Sequence, residues 1–241
     1  MSTSPSEPGP LLVFAAHPDD AEFGCGGILA AEARTGRTVH LVVGSRGESG
    51  SNGTPEQRTE EAKAAAVIMG VSVEFLDLGG DSNIEPSREN ARKLAAVIRR
   101  VKPTVVFAPT LVTDQHPDHT AVAVATRDAA RLARYGNVPE LKKEQPHAIE
   151  HLFYYAITPD TEPRGERPLL FTIDDTDVET WKAAMSAHAS QLKTRNYVDL
   201  QIMRARLKGE NSGCGHAIAL FPNDPLRIHG LSEVGMGSRR F

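Results

Sequence analysis

The stretch Leu11-Leu12-Val13-Phe14-Ala15-Ala16-His17-Pro18-Asp19-Asp20 sets six apolar residues directly before a histidine and two carboxylates. An unbroken apolar run of this length reads as a strand buried on both faces, the pattern of a parallel sheet. A second stretch repeats the arrangement: Thr104-Val105-Val106-Phe107-Ala108-Pro109, a short loop from Thr110 to Gln115, then His116-Pro117-Asp118-His119. In open α/β sheets ligands bind beyond the carboxyl ends of the strands, so two polar clusters ~100 residues apart can meet at that edge.

Working outward, helical and strand patterns alternate. Ile28, Leu29 and Ala33 give helical spacing over 26–35, closed by Gly36, and 38–43 is the next apolar run. After the Gly- and Ser-rich loop 44–54, Thr54 as N-cap, Pro55 at the first helical position and Gln57 at the third resemble a capping box, so a helix should run to Met69. A strand over 71–76 and a helix over 87–101 lead into the Thr104 strand, and a helix follows His119 to Arg134. Beyond the connection 135–147 the pattern predicts strands at 151–157, 169–173 and 217–221, with helices at 178–191 and 197–207. Strands alternating with helices argue for right-handed βαβ units. The expected fold is α/β: a Rossmann-like, mostly parallel sheet with helices on both faces and a C-terminal α/β elaboration. One domain over 11–241 should follow a disordered tail over 1–10.

The formal net charge of -4 and pI near 6.1 leave no electrostatic footprint for nucleic acid, and the 27 Lys and Arg are scattered along the chain. No apolar stretch approaches the ~20 residues of a membrane span, and the first ten residues lack a hydrophobic signal segment. The expectation is a cytoplasmic protein without a membrane or nucleic-acid partner. Cys25 and Cys214, the two cysteines, suit neither a disulfide framework nor a thiolate zinc motif.

Histidine nitrogen and aspartate oxygen are ordinary ligands of Zn²⁺, and a catalytic site supplies three of them while leaving a position open. His17, Asp20 and His119 make such a set and leave Asp19 as a base beside it. The plainer alternative is that the aspartates cap the helix that follows, satisfying N–H groups at Ala21 to Gly24. A His-x-Asp-His cluster at a second strand end favours the metal, in a chain with nine histidines. Gly24-Cys25-Gly26-Gly27 fails as a dinucleotide fingerprint, because His-Pro-Asp-Asp occupies the turn where the first glycine belongs and Leu29 stands where the last should be. Those glycines instead suit close helix packing.

Taken together, Ala16-His17-Pro18-Asp19-Asp20 and His116-Pro117-Asp118-His119 resemble the LmbE-like (PIG-L type) zinc-dependent N-acetylglucosaminyl deacetylases. The resemblance extends through Gly47-Glu48-Ser49-Gly50, Arg58 with Glu60, Glu61 and Ala62, the Val105 strand and Ser190-Gln191, and so covers residues 11–200. Ser51-Asn52-Gly53-Thr54 and Leu132-Ala133 are most similar to the bacillithiol-biosynthesis branch, which deacetylates N-acetylglucosamine linked to malate. A related branch acts on the inositol conjugate. The resemblance implies zinc on His17, Asp20 and His119, with Fe²⁺ or Co²⁺ also accepted by such a set. It further implies Asp19 as general base, and His116, in its protonated form, as the group that stabilises the oxyanion or protonates the departing amine. Asp118 would orient a histidine, Arg58 and Asp81 would hold sugar hydroxyls, and the enzyme would be a homo-oligomer acting on a small sugar conjugate. Two departures stand out: Gly215-His216-Ala217-Ile218-Ala219-Leu220 replaces the family's Tyr-Ala-Glu-like run, and 221–226 matches no pattern of the bacillithiol branch. Two other readings stay open, a thiol-conjugate amidase and a metal- or sugar-binding module without catalysis.

Overall fold

A computed structural model of the chain describes residues 8–235 and 237. Seven strands form one sheet: β1 (Leu11–Ala15), β2 (Val39–Val43), β3 (Ser72–Phe75), β4 (Val105–Pro109), β5 (His151–Tyr155), β6 (Leu169–Ile173) and β7 (His216–Pro222), in the order β3-β2-β1-β4-β5-β7-β6. The first five are parallel, and β7 runs antiparallel to both β5 and β6. The expected Rossmann-like sheet is present, with the C-terminal strands extending it. Leu11 sits opposite both Val39 and Val105, so β1 and β4 end side by side. The chain leaves β1 toward β2 and leaves β4 toward β5, and the point between them is where the strand order reverses. That reversal opens a crevice at the carboxyl ends of β1 and β4.

Six helices cover the two faces: α1 (Asp20–Arg34), α2 (Pro55–Met69), α3 (Arg88–Val101), α4 (Pro117–Arg134), α5 (Asp175–Ala187) and α6 (Tyr197–Ser212). Alternate residues of β1 divide between them. Leu11, Val13 and Ala15 join the core under α1, α2, α5 and α6, whereas Leu12, Phe14 and Ala16 join the core under α3 and α4. This burial on both faces explains why β1 carries no polar residue. No helix of the described residues is long and apolar enough to cross a membrane.

Three boundaries differ from the sequence expectation in ways that matter for function. Helix α1 begins at Asp20, not near residue 26, so the Gly24–Gly27 run lies inside it. Its glycines admit neighbours: a Cβ on Gly24 would lie 2.3 Å from Cδ2 of Tyr155, and the indole of Trp181 presses on Gly26. Helix α4 begins at Pro117, which puts Asp118 and His119 on its first turn. The expected tail falls mostly on residues 1–7, outside the described residues. Its end is held, since the Gly9 carbonyl accepts from Arg37 Nε and the Pro10 carbonyl from the Thr104 N–H.

The Gly24 contact gives a test of this packing. Tyr155 is fully buried and its hydroxyl donates to the Phe14 carbonyl at 2.9 Å, so the ring cannot easily yield. Gly24→Ala gains ~1 kcal/mol of helix propensity. Overpacking costs ~1–3 kcal/mol, so the variant is expected to unfold at lower urea than the wild type. A raised midpoint would show that Tyr155 moves aside.

Candidate metal and catalytic site

Both polar clusters reach the crevice, and they meet there. His17 stands in the turn between β1 and α1, 7% exposed, with Nδ1 at 3.2 Å from His119 Nε2 and 3.5 Å from Asp20 Oδ2. Asp20 Oδ1 lies 3.1 Å from the same His119 nitrogen. Donors bonded at about 2.0–2.2 Å in a tetrahedron are separated by about 3.3–3.6 Å, so these contacts, one to each oxygen of Asp20, are close to the spacings that a zinc-sized ion needs. The residue types, two imidazoles and one carboxylate, suit such an ion equally well.

The far side of His17 is also engaged. Its Nε2 lies 3.0 Å from Asp118 Oδ2 and 3.2 Å from Asp81 Oδ1. With Nε2 as donor to these carboxylates, the Nδ1 lone pair faces His119 and Asp20, the arrangement in which an outer carboxylate orients a ligating imidazole. His17, Asp81, His116 and Asp118 also bring one donor atom each within 4.8 Å of one another. In that grouping Asp118 Oδ2 also accepts from the Ser82 N–H at 2.7 Å as well as facing His17.

The electrostatics at this point favour positive charge. Burial alone would push the His17 imidazole down, but Asp20, Asp118 and Asp81 outweigh it and raise its pKa to about 10. Burial likewise disfavours the Asp20 charge, yet His119 and His17 hold that carboxyl well below its ordinary range. A field that retains a proton on imidazole to such a pH is one that would also attract a divalent cation.

The aspartates do not cap the helix, which removes the plainer alternative. Asp20 Oδ2 turns back to accept the N–H groups of Ala16 at 3.0 Å and His17 at 2.8 Å. Asp19 is the residue before α1, and its side chain makes no capping bond; its backbone has φ 106 and ψ -25. Burial and the neighbouring Asp20 raise its carboxyl to about 7, with His188 and Arg58 opposing the shift.

His116 caps α4 from the exposed rim, its Nδ1 accepting from the Asp118 N–H at 3.3 Å. The proton of the neutral ring is therefore on Nε2. Partial burial, His17 and His119 lower its pKa. These neighbours work against the protonated form expected from the sequence.

Arg58 and Asp81, the residues expected to hold sugar hydroxyls, also lie beside this site. Both are buried, at 5% and 6% exposed, and both make hydrogen bonds inside the protein, although Arg58 Nε has no partner among the described residues. Arg58 Nη2 donates to the Pro18 carbonyl at 3.0 Å and Nη1 to the Gly47 carbonyl at 3.2 Å. Asp81 accepts from the Ser49 N–H and the Ser82 hydroxyl besides facing His17. Ser82 and the Glu22–His188 pair escaped the sequence reading. The Gly79-Gly80-Asp81-Ser82 turn after β3 ends at the same sheet edge, a signal that could have pointed to Ser82. His188 Nε2 lies 3.3 Å from Glu22 Oε1 with both side chains buried, and nothing local in the sequence links them.

With this geometry in hand, the chain can be set beside known proteins. Residues 12–130 match the family described as PIG-L, GlcNAc-PI de-N-acetylase. Diacetylchitobiose deacetylase of Thermococcus kodakarensis is 30% identical over 200 residues, spanning 75% of this chain and 69% of that relative. 4-Oxalmesaconate hydratase of Pseudomonas putida is 33% identical over 135 residues; the match covers 51% of this chain and about half, 52%, of the hydratase. Among solved structures, the conserved protein TT1542 of Thermus thermophilus superposes with a TM-score of 0.82 at 34% identity, covering 93% of this chain and 99% of that one.

Proposed function

The chain belongs to the PIG-L family of GlcNAc-PI de-N-acetylases, and from that membership we propose that it is a metal-dependent hydrolase that removes the acetyl group from an N-acetylglucosamine conjugate. The observation that carries the reading is the meeting of His17 Nδ1 and His119 Nε2 at 3.2 Å, with Asp20 placing Oδ2 at 3.5 Å from the first and Oδ1 at 3.1 Å from the second, and Asp19 next to them in the turn. His17, Asp20 and His119 would hold the ion, Zn²⁺ by default and Fe²⁺ or Co²⁺ as alternatives for such donors. When bound, the ion supplies Lewis acidity and acidifies water near neutral pH.

The chain's own groups supply the rest. Asp19, once ionised, takes the proton of the attacking water as its oxygen bonds to the acetyl carbon. His116 directs its Nε2–H to the carbonyl oxygen as that atom gains negative charge, a task a neutral imidazole performs without giving up its proton. The C–N bond then breaks, and the proton held on Asp19 passes to the departing amine. Acetate and a glucosamine conjugate are the products. Asp118 and Asp81 keep His17 in one tautomer and one orientation throughout.

For the aglycone we propose a malate-like acid, as in bacillithiol-type thiol biosynthesis. Support comes from the resemblance of Ser51-Asn52-Gly53-Thr54 to that branch; this loop is held in place by Gln191 Nε2, which donates to the Asn52 carbonyl at 2.8 Å. Leu132 and Ala133 give none, because they sit at the far end of the 18-residue α4, a helix ~27 Å long. The partner we propose is a small sugar conjugate, and the assembly we propose, on the family resemblance alone, is a homo-oligomer.

The test is acetate release from N-acetylglucosamine and its malate and inositol conjugates, with chelated enzyme before and after Zn²⁺ is restored. Metal-restored release, fastest on the malate conjugate, is the expected result. Amine release from intact thiol conjugates would replace the deacetylase by an amidase, and hydration of an unsaturated dicarboxylate would align the chain with the hydratase relative. Silence on all of these at full metal loading would leave a binding module.

A further inference from the structure

The carboxyl ends of the parallel strands carry the candidate site, and the opposite end of the sheet carries a second concentration of charge. There α4 turns Arg127, Arg131 and Arg134, four and three residues apart, toward one face. All three line a cavity of about 370 Å³ at the start of β5, together with Glu150, Asn223 and Asp224. A second cavity, of about 640 Å³, adjoins it, sharing Glu150 and Asp224 and adding Arg227, His151 and His229.

Among the described residues no carboxylate lies within ion-pair distance of the three α4 guanidiniums. On the neighbouring α3, by contrast, Arg92, Lys93 and Arg100 face Glu140, Glu89 and Glu74. Arg134 rests on the Tyr135 ring, 5.3 Å from its centroid, a contact that leaves its N–H donors without an oxygen acceptor. The helix dipole does not account for the column. The end of α4 is already answered by the fully buried Arg99, which donates to the carbonyls of Leu132, Ala133 and Tyr135, and Arg127 stands about two turns earlier. Like charges on successive turns repel, so the column is favourable only when an anion joins it. The surroundings are fixed in advance: the Tyr154 hydroxyl donates to Asn223 Oδ1 at 2.7 Å, and Asn223 Nδ2 donates to Asp224 Oδ2 at 2.8 Å. One of the two carboxylates of the cavity thus already has an internal donor.

A guanidinium recognises phosphate through paired N–H groups, and the column spans about 10 Å of helix, more than one phosphate covers. Each cavity has the size of a small-molecule site. We propose that this cleft binds a small ligand with two or more phosphate groups, which lie along Arg127, Arg131 and Arg134. The site is at the far end of α4 from His119 and stands whether or not the chain is a deacetylase.

The test is titration calorimetry of the full chain with inorganic pyrophosphate, ADP, orthophosphate and citrate, after chelation has removed metal that would itself hold phosphate. Pyrophosphate and ADP are expected to bind more tightly than orthophosphate or citrate. ADP ahead of pyrophosphate gives the adjoining cavity to a nucleoside, and equal affinities give the site to the diphosphate group alone. Arg131 is exposed, so Arg131→Gln leaves the core intact, and it should weaken both ligands ~10–100-fold, the worth of a hydrogen bond from a charged donor. Glu150→Gln removes a carboxylate from the cleft and should tighten both, an outcome that a misfolded variant cannot imitate. Absence of binding at ~1 mM of either diphosphate overturns the proposal. So does citrate or orthophosphate binding as tightly, or binding that is unchanged in Arg131→Gln and lost in His17→Ala, which would place the ligand in the metal crevice.

Discussion

His17→Ala is expected to lose its metal on dialysis against a chelator and to retain no turnover above background. The reason is that one imidazole serves two layers of the site. Its Nδ1 faces Asp20 and His119, and its Nε2 faces Asp118 and Asp81. Truncation removes a donor and leaves Asp81 and Asp118 buried with one partner fewer. Asp118→Asn makes the comparison quantitative. That variant keeps all three donors and weakens only the outer contact, so its metal affinity should fall by ~10–100-fold, the usual effect of losing an orienting partner. Competition with a chromogenic chelator should therefore rank the affinities wild type, then Asp118→Asn, then His17→Ala. Equal affinities in the two variants would sink the division between inner and outer groups, and an unaffected His17→Ala would move the ion to another set of donors.

How much of this site the sequence carried can be argued residue by residue. The apolar runs before His17 and His116 were legible as buried strands because both faces of β1 and β4 are covered, and the switch point between them follows from the connections. Strand-end placement was enough to bring His17, Asp20 and His119 together. The start of α1 was not legible: Gly24, Gly26 and Gly27 lower helix propensity, and tight contact with Tyr155, Trp181, Ile173 and Ile218 overrides that local preference. Nor was the position of β7 between β5 and β6, which depends on side-chain packing far along the chain.

Burial explains the rest of the difference. A sequence shows that Arg58 and Asp81 are charged but not whether their charges face solvent. Both side chains are buried because the loop bearing Gly47 closes over Arg58 and the turn bearing Ser82 delivers Asp81 to His17. The same holds for Glu22 and His188, 166 positions apart and buried against each other. The electrostatic consequence reaches the site, since His188 and Arg58 both oppose the rise of the Asp19 carboxyl.

Asp19→Asn should keep the metal and lose turnover by ~10²–10⁴-fold, the range that one general base contributes. Asp19 is not one of the three donors, so metal content should match the wild type, in contrast to His17→Ala. The wild-type pH profile carries the same assignment. A base must be ionised to act, and burial with Asp20 lifts this carboxyl to about 7 in the chain alone. A cation on His17, Asp20 and His119 favours the ionised form and pulls the value down again. The acid limb of kcat/KM should consequently lie between the ordinary carboxylate value and 7, with activity rising as pH rises through it, and Asp19→Asn should lose that limb. Stability should move against activity. Asp19 holds its position with a left-handed backbone, a strain of about 1–3 kcal/mol for a residue with a Cβ. Asp19→Gly and Asp19→Ala remove the same carboxylate, but only glycine relieves the backbone, so the Gly variant should unfold at higher urea than the Ala variant while both are inactive. Identical midpoints would mean that the turn after β1 stores no strain. An acid limb that persists in Asp19→Asn would assign the base to another group.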